Sequence, residues 1–162
     1  MPPSRREQIC RTAILLAAQG GSHAVTHQAI DRKIGIAKGS TSYYYRTRSA
    51  LITAVSNYLA AQSQEAFREL LARHSTQDSN VLIESYIADL TTVRREHALA
   101  RLALALDADC AAEQRKALAN CLFSREAAIE LYRFREHPRP ESAADELLAN
   151  LEGRILRTLV FS

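Results

Sequence analysis

Residues 26–51, THQAIDRKIGIAKGSTSYYYRTRSAL, constrain this chain more than any other stretch, because they read as two short helices joined by a glycine turn and followed at once by a third. Thr26 is placed to cap a helix with its hydroxyl, and Ala29, Ile30, Lys33 and Ile34 then recur at helical spacing. Gly35 follows the last apolar residue, where a left-handed conformation is cheap only for glycine, so the first helix stops and the chain turns. Ala37 to Tyr44 carries Lys38, Ser40, Thr41, Ser42, Tyr43 and Tyr44, nearly all able to donate hydrogen bonds, and no acidic residue. The exposed face of such a segment suits a polyanion. Thr47 can cap the next helix, whose apolar positions Leu51, Val55, Tyr58, Leu59, Phe67 and Leu70 hold the helical period for about seven turns.

Charge is distributed to match. Residues 1–48 carry Arg5, Arg6, Arg11, Arg32, Lys33, Lys38, Arg46 and Arg48 against Glu7 and Asp31, while the chain as a whole is only +3, so the remainder is net acidic. A basic end on an acidic body is what phosphate contact requires, although a solvated helix face would show the same charges. Ala, Leu, Arg and Glu abound and hairpin turn pairs are lacking, which predicts an all-α protein. The early apolar run Ala13–Ala18 belongs to an amphipathic helix with Ile9, Ala13, Leu16 and Ala17 on one side, not to a signal peptide or a membrane span, so a cytoplasmic protein is expected. Cys10, Cys110 and Cys121 are widely spaced and are expected to be reduced thiols without metal.

Beyond the head, a polar patch at His74–Ser79 is expected to fray the long helix, and Val81, Leu82, Tyr86, Leu90 and Val93 restart a helical stripe. Ala98–Leu106 is apolar almost all round except for Arg101, which suits a central buried helix and a pocket wall. A long amphipathic segment is expected from Ala111 to Arg135, a break at Pro138 and Pro140, and a last helix from Ser142 to Phe161. These last two segments would form an antiparallel hairpin with apolar stripes wider than one neighbour can cover, which calls for a second subunit. The expected dimer interface comprises Leu118, Leu122, Ile129, Leu148, Leu151, Gly153, Ile155 and Leu159.

Thr26, Ile30, Gly35 with Ile36, Gly39, Tyr43-Tyr44-Tyr45, Arg48 and Ala50-Leu51 fill the positions of a pattern that resembles the TetR family of bacterial transcriptional regulators. Near the C-terminus, residues 148–156 are similar to that family's last dimerisation helix. The resemblance implies a three-helix helix-turn-helix DNA-binding head in residues 1–50, a helical regulatory and dimerisation domain in residues 51–162 that ends in a helix hairpin, and repression of a palindromic operator relieved by an unknown small-molecule effector. Two-fold symmetry would set the heads roughly 34–36 Å apart along double-stranded DNA. By position in the short helix, Lys38, Ser40 and Tyr43 are assigned to base edges, and Thr26, Ser42, Tyr44 and Arg48 to phosphates. Tyr45 is expected to pack between the first and fourth helices, while for Tyr43 and Tyr44 the alternative to DNA contact is that one of them belongs to the core. Tyr86, Arg101, Phe123 and Tyr132 are the candidate ligand-pocket residues, although Arg101 also suits an internal salt bridge with Asp89, Asp107 or a similar carboxylate.

The sequence departs from the family at Asp31, where a small alanine is usual and where a carboxylate must tilt to solvent or find a base such as Arg32 or Lys38. The five histidines are scattered, no catalytic or phosphate-loop motif is present, and neither enzymatic activity nor a cofactor is expected. The remaining alternative is a helical dimeric interaction module that has the fold without sequence-specific DNA binding.

Overall fold

The computed structural model describes residues 2–73 and 79–161. Among these, nine α-helices and one 3-10 turn account for all regular structure: α1 (Arg5–Gly20), α2 (His27–Ile34), α3 (Ser40–Tyr44), α4 (Arg48–Arg73), α5 (Ser79–Thr91), α6 (Arg95–Ala105), α7 (Ala112–Asn120), α8 (Arg125–Phe134) and α9 (Pro140–Phe161), with the turn at Ser22–Ala24. The all-α expectation holds. No helix among the described residues is long and apolar enough to cross a membrane.

Local chemistry explains where the helices begin. Ser4 and Glu7 form a reciprocal capping box on α1. Thr26 accepts from the Ala29 N–H at 3.1 Å and Thr47 from the Ala50 N–H at 3.1 Å, both as read from the sequence. Gly35 is left-handed (φ 78°) at the end of α2.

Two boundaries differ from expectation. The segment expected to run unbroken from Ala111 to Arg135 is split into α7 and α8, because Ser124 caps a new helix by accepting from the Ala127 N–H. The last helix starts at Pro140 rather than Ser142, since the first helical turn needs no proline N–H. The expected fraying at residues 74–79 lies outside the described residues, apart from Ser79, where α5 begins.

Packing joins the two ends of the molecule. One hydrophobic core runs from Ile9, Ala13 and Ala17 of α1 through Leu51, Val55 and Leu59 of α4 to Leu104, Leu118, Leu151, Ile155 and Leu159. α1 lies along α6, and α8 packs antiparallel on α9 around a small second cluster of Ala128, Ile129 and Ala144. The position near residue 50 where the sequence suggests a division lies at the start of α4, with this core continuous on both sides of it.

Candidate nucleic-acid interface

Asp31 organises the helix-turn-helix from both sides of its turn. Its backbone carbonyl accepts from the N–H groups of Gly35 and Ile36, both at 3.0 Å, which closes α2. Its carboxylate crosses to α3 and accepts from Gly39 N–H (2.7 Å), Thr41 N–H (2.8 Å) and the Thr41 hydroxyl (2.6 Å). Helix α3 has no cap of its own, since Gly39 stands at its N-cap with φ 93°, so Asp31 supplies the acceptor from the neighbouring helix. Burial pushes the Asp31 carboxyl up, but the hydrogen bonds from Thr41 and Gly39 outweigh this and hold it below the ordinary carboxylate value. The expectation that Asp31 must reach solvent, Arg32 or Lys38 is therefore corrected: at 3% exposure it is satisfied by donors of α3 and of the turn before it. Sequence reasoning also missed Thr41, which is fully buried; the signal was an acid eight residues before a Gly-x-Thr.

The three tyrosines separate by depth. Tyr43 is 82% exposed. Tyr44 is half-buried, edge-on to Tyr43 with ring centroids 5.3 Å apart, and the Arg6 guanidinium lies 5.7 Å from its ring centroid. Tyr45 is buried, with its hydroxyl 3.8 Å from Cys10 Sγ of α1, and its carbonyl accepts from His27 Nε2 at 2.7 Å. Arg6 also stands 5.4 Å from the centroid of the Tyr45 ring, so the start of α1 contributes a cation beside α3 that the motif did not reveal. Burial raises the Cys10 thiol above its usual value, which keeps it protonated at neutral pH.

The other residues assigned to nucleic acid fall into two groups. Lys38, Ser42 and Thr26 are exposed, and Thr26 keeps a hydroxyl proton to donate because its oxygen serves the cap as acceptor. Ser40 and Arg48 are engaged within the chain. Ser40 Oγ donates to the Ala37 carbonyl at 2.6 Å and shapes the turn. Arg48 Nη1 donates to Val25 O at 2.6 Å, while Nη2 donates to Ser22 O at 3.0 Å and Asp107 Oδ2 at 2.8 Å. Arg48 thus ties the α1–α2 link, the first turn of α4 and the α6–α7 loop together, where a phosphate contact was expected. The Arg48 hydrogen bond, with help from the Asp109 N–H, depresses the Asp107 carboxyl to about 2. Beside this bracket, Gln114 of α7 donates through Nε2 to the carbonyl and hydroxyl of Ser49, at 2.9 and 2.8 Å.

The residues expected around a ligand divide in the same way. Tyr86 and Phe123 line a cavity of about 580 Å³ between α4, α5, α7, α8 and α9, whereas Arg101 and Tyr132 do not. Arg101 is buried on α6, where it binds both carboxylate oxygens of Glu152 and the carbonyls of Leu118 and Ala119, so the internal salt bridge holds with a partner that the sequence did not single out. Tyr132 packs edge-on to His137 in the α8–α9 hairpin.

Most of the expected dimer residues face inward. Leu118, Leu122, Leu151, Ile155 and Leu159 belong to the chain's own core, Ile129 to the α8–α9 cluster, and Leu148 to the cavity wall. Periodicity had marked a buried face correctly, but the chain itself supplies the cover. What α9 leaves exposed is a stripe of Ala149, Gly153, Leu156 and Val160, and a Cβ on Gly153 would meet nothing within 4 Å.

Comparison with known proteins agrees with this geometry. No family model matches the chain. It is 30% identical over 78 residues to the HTH-type transcriptional regulator BetI of Yersinia pestis (strain Pestoides F), a match covering 48% of this chain and 39% of that protein. The BetI of Serratia proteamaculans (strain 568) matches at the same identity over 46% of this chain, so the shared region spans about two fifths of these relatives. Among solved structures, multidrug binding protein EbrR complexed with malachite green superposes with TM-score 0.69 at 24% identity, covering 98% of this chain and 88% of that one. EbrR complexed with imidazole gives TM-score 0.66 at the same identity. With its helix-turn-helix closed and its helical body superposable almost throughout, the chain has the all-α fold of EbrR.

Proposed function

We propose that the protein is a homodimeric, sequence-specific DNA-binding transcriptional regulator, acting in the cytoplasm as a repressor that a small-molecule effector releases from a palindromic operator. The observation that carries this reading is the acid-free outer face of α3 and of the turn before it, fixed in place by Asp31 and presenting Lys38, Ser42 and Tyr43 to solvent on the basic end of the chain. In this reading residues 1–50 read DNA and residues 51–162 regulate and pair. Lys38 and Tyr43 read base edges, with Ser40 shaping the turn that presents them. Thr26, Ser42 and Tyr44 hold phosphates, Arg6 adds a cation beside Tyr44, and Arg48 acts through the head–body bracket.

The α9 stripe of Ala149, Gly153, Leu156 and Val160, spaced four, three and four residues apart, supplies the seam for a second copy, and the open space at Gly153 lets the helices approach closely. Effector control is supported by the cavity and by the likeness to EbrR, whose solved structures are complexes with malachite green and with imidazole. Helix α7 connects the two sites: Asn120 at its end lines the cavity, and Gln114 grips Ser49 at the start of α4. A shift of α7 on ligand binding changes the spacing of the two heads, so that both cannot reach the groove together.

The test is selection of binding sites from a random duplex library by the purified protein at two salt concentrations. Enrichment of a palindrome supports the reading. Weak, salt-sensitive retention without enrichment contradicts it and favours the interaction module.

A further inference from the structure

The chemistry of the cavity wall bears on what can enter it. Its volume of about 580 Å³ falls within the range typical of drug-sized ligands. The wall is mostly apolar, and three aromatic rings build one side: Phe67 meets Tyr86 edge-on at 5.6 Å, and Tyr86 meets Phe123 at 5.7 Å. The Tyr86 hydroxyl donates to the Leu122 carbonyl at 2.8 Å, so this residue presents its ring to the space and keeps its polar end in the protein. Cys121 is also on the wall. Burial pushes its thiol up to about 11, so it is uncharged at neutral pH, and its sulfur donates to the Leu118 carbonyl.

The remaining polar lining groups are Ser63, Gln64, Asn120 and Ser124, all neutral. No carboxylate lines the cavity among the described residues, and the one charged lining residue among them, Arg68, is well exposed and paired with Glu65. A second cation lies behind the aromatic side. The Arg94 guanidinium sits 5.0 Å from the Tyr86 ring centroid, donates to Ser63 Oγ at 3.2 Å and forms an ion pair with Asp89.

A ligand charge of either sign loses its hydration here without gaining an opposite partner. A cation finds no carboxylate on the described wall, and of the three rings Tyr86 already serves Arg94, which leaves only the Phe67 and Phe123 rings, a weaker attraction than the hydration it gives up. An anion finds only Arg68, which Glu65 already compensates. An uncharged molecule keeps the full apolar and ring contact and has neutral amide and hydroxyl groups to bind any polar atom it carries.

We propose that the effector is an uncharged, predominantly apolar, ring-bearing molecule of drug size, and that the cavity discriminates against lipophilic cations and organic anions. This inference rests on the reading of the cavity as the effector site.

The experiment uses the full chain and three probes: N-phenyl-1-naphthylamine, which is neutral; 1-anilinonaphthalene-8-sulfonate, the same skeleton bearing a sulfonate; and malachite green, a lipophilic cation. Fluorescence titration is expected to show the neutral probe binding at least about ten-fold more tightly than either charged probe. Ala127→Trp, at an exposed position of α8 on the cavity wall, is expected to weaken the neutral probe by about ten-fold or more, which places the probe in the cavity. Gln64→Glu, also exposed, is expected to improve malachite green by about five-fold without improving the neutral probe. Malachite green or the sulfonate binding the unmodified protein as tightly as the neutral probe, with Ala127→Trp blocking both, overturns the charge preference and leaves the effector site standing. Failure of every probe to bind, or neutral binding indifferent to Ala127→Trp, overturns the effector-site reading and the proposal with it.

Discussion

Asp31 in the head and Arg101 in the body are both ionised side chains held almost wholly inside the protein, and they are satisfied over very different lengths of chain. Asp31 finds its donors eight and ten residues ahead, at Gly39 and Thr41, and the contacts amount to one turn folded on itself. Arg101 is held by carbonyls 17 and 18 residues away and by a carboxylate 51 residues away, and it closes α6, α7 and α9 on one another. The turn between α2 and α3 is thus set by local contacts, whereas the arrangement of α6, α7 and α9 is set by tertiary ones.

This contrast is open to direct attack. The largest effect is expected at Arg101, because removing its buried guanidinium leaves the carbonyls of Leu118 and Ala119 and the half-buried Glu152 carboxylate without their donor and opens a gap between α6, α7 and α9. Arg101→Ala should lower the free energy of unfolding by about 3–5 kcal/mol in chemical denaturation, and Arg101→Met with Glu152→Met should recover most of that loss. A small loss in the single variant would mean that the body is not organised around this contact.

Next comes Asp31→Ala, which leaves two backbone N–H groups and the Thr41 hydroxyl without their acceptor. It should cost about 2–3 kcal/mol of stability and reduce DNA affinity more on the selected site than on random duplex. Asp31→Asn, which keeps one acceptor oxygen, should fall between. Equal stability of the alanine variant and the parent would remove Asp31 from its capping role.

Acid should separate the two regions. His97 of α6 lies in the body, its Nδ1 is buried without a hydrogen-bond partner, and burial together with the nearby Arg94 charge lowers its pKa from 6.5 to about 4. The unfolded chain takes up this proton first, so stability should decline as pH falls from about 6.5 to 4 and then level off in this respect, by about 3 kcal/mol in all. Asp31 has the opposite kind of shift: its contribution is complete above the ordinary carboxylate value of 3.8 and is lost only as pH falls below it, through the lowered folded value. His97→Leu should therefore flatten the pH dependence between 6.5 and 4 and leave the steep loss at lower pH untouched. A slope unchanged by the substitution would assign it to other groups.

The smallest effect on stability is expected at Arg48. Its pair with Asp107 is partly open to solvent, so Arg48→Ala should cost only about 1 kcal/mol. If the bracket couples body to head, the same variant should blunt the effect of the cavity ligand on DNA binding. Full retention of that effect would exclude the bracket as the coupling route.

What could be read from the sequence follows the same division. Thr26, Thr47 and Gly35 were legible because a cap or a left-handed turn involves residues three or four apart. Asp31 was recognised as a departure, yet its solution was misjudged because solvent and charge were weighed and backbone donors across the turn were not. For Arg101 an internal bridge was foreseen without its partner, since no local signal links α6 to Glu152 on α9. The apolar stripe through Leu118, Leu151, Ile155 and Leu159 announced burial but not by what, and the chain's own core proved to be the cover. Lys38 and Tyr43, assigned to the outer face by position in the short segment, are exposed; the place of Arg6 was not legible, because its approach to Tyr44 depends on how α1 docks.

The central claim, that the Asp31-set helix reads sequence, is tested most directly by measuring the affinity of the purified protein for the enriched palindrome and for a scrambled duplex of equal length across a salt series. The account predicts affinities falling steeply with salt on both and a preference for the palindrome of about 10³-fold or more, with Lys38→Ala costing about 1–3 kcal/mol on the palindrome alone. Equal affinity for the two duplexes at every salt concentration, or an equal loss from Lys38→Ala on both, would contradict it.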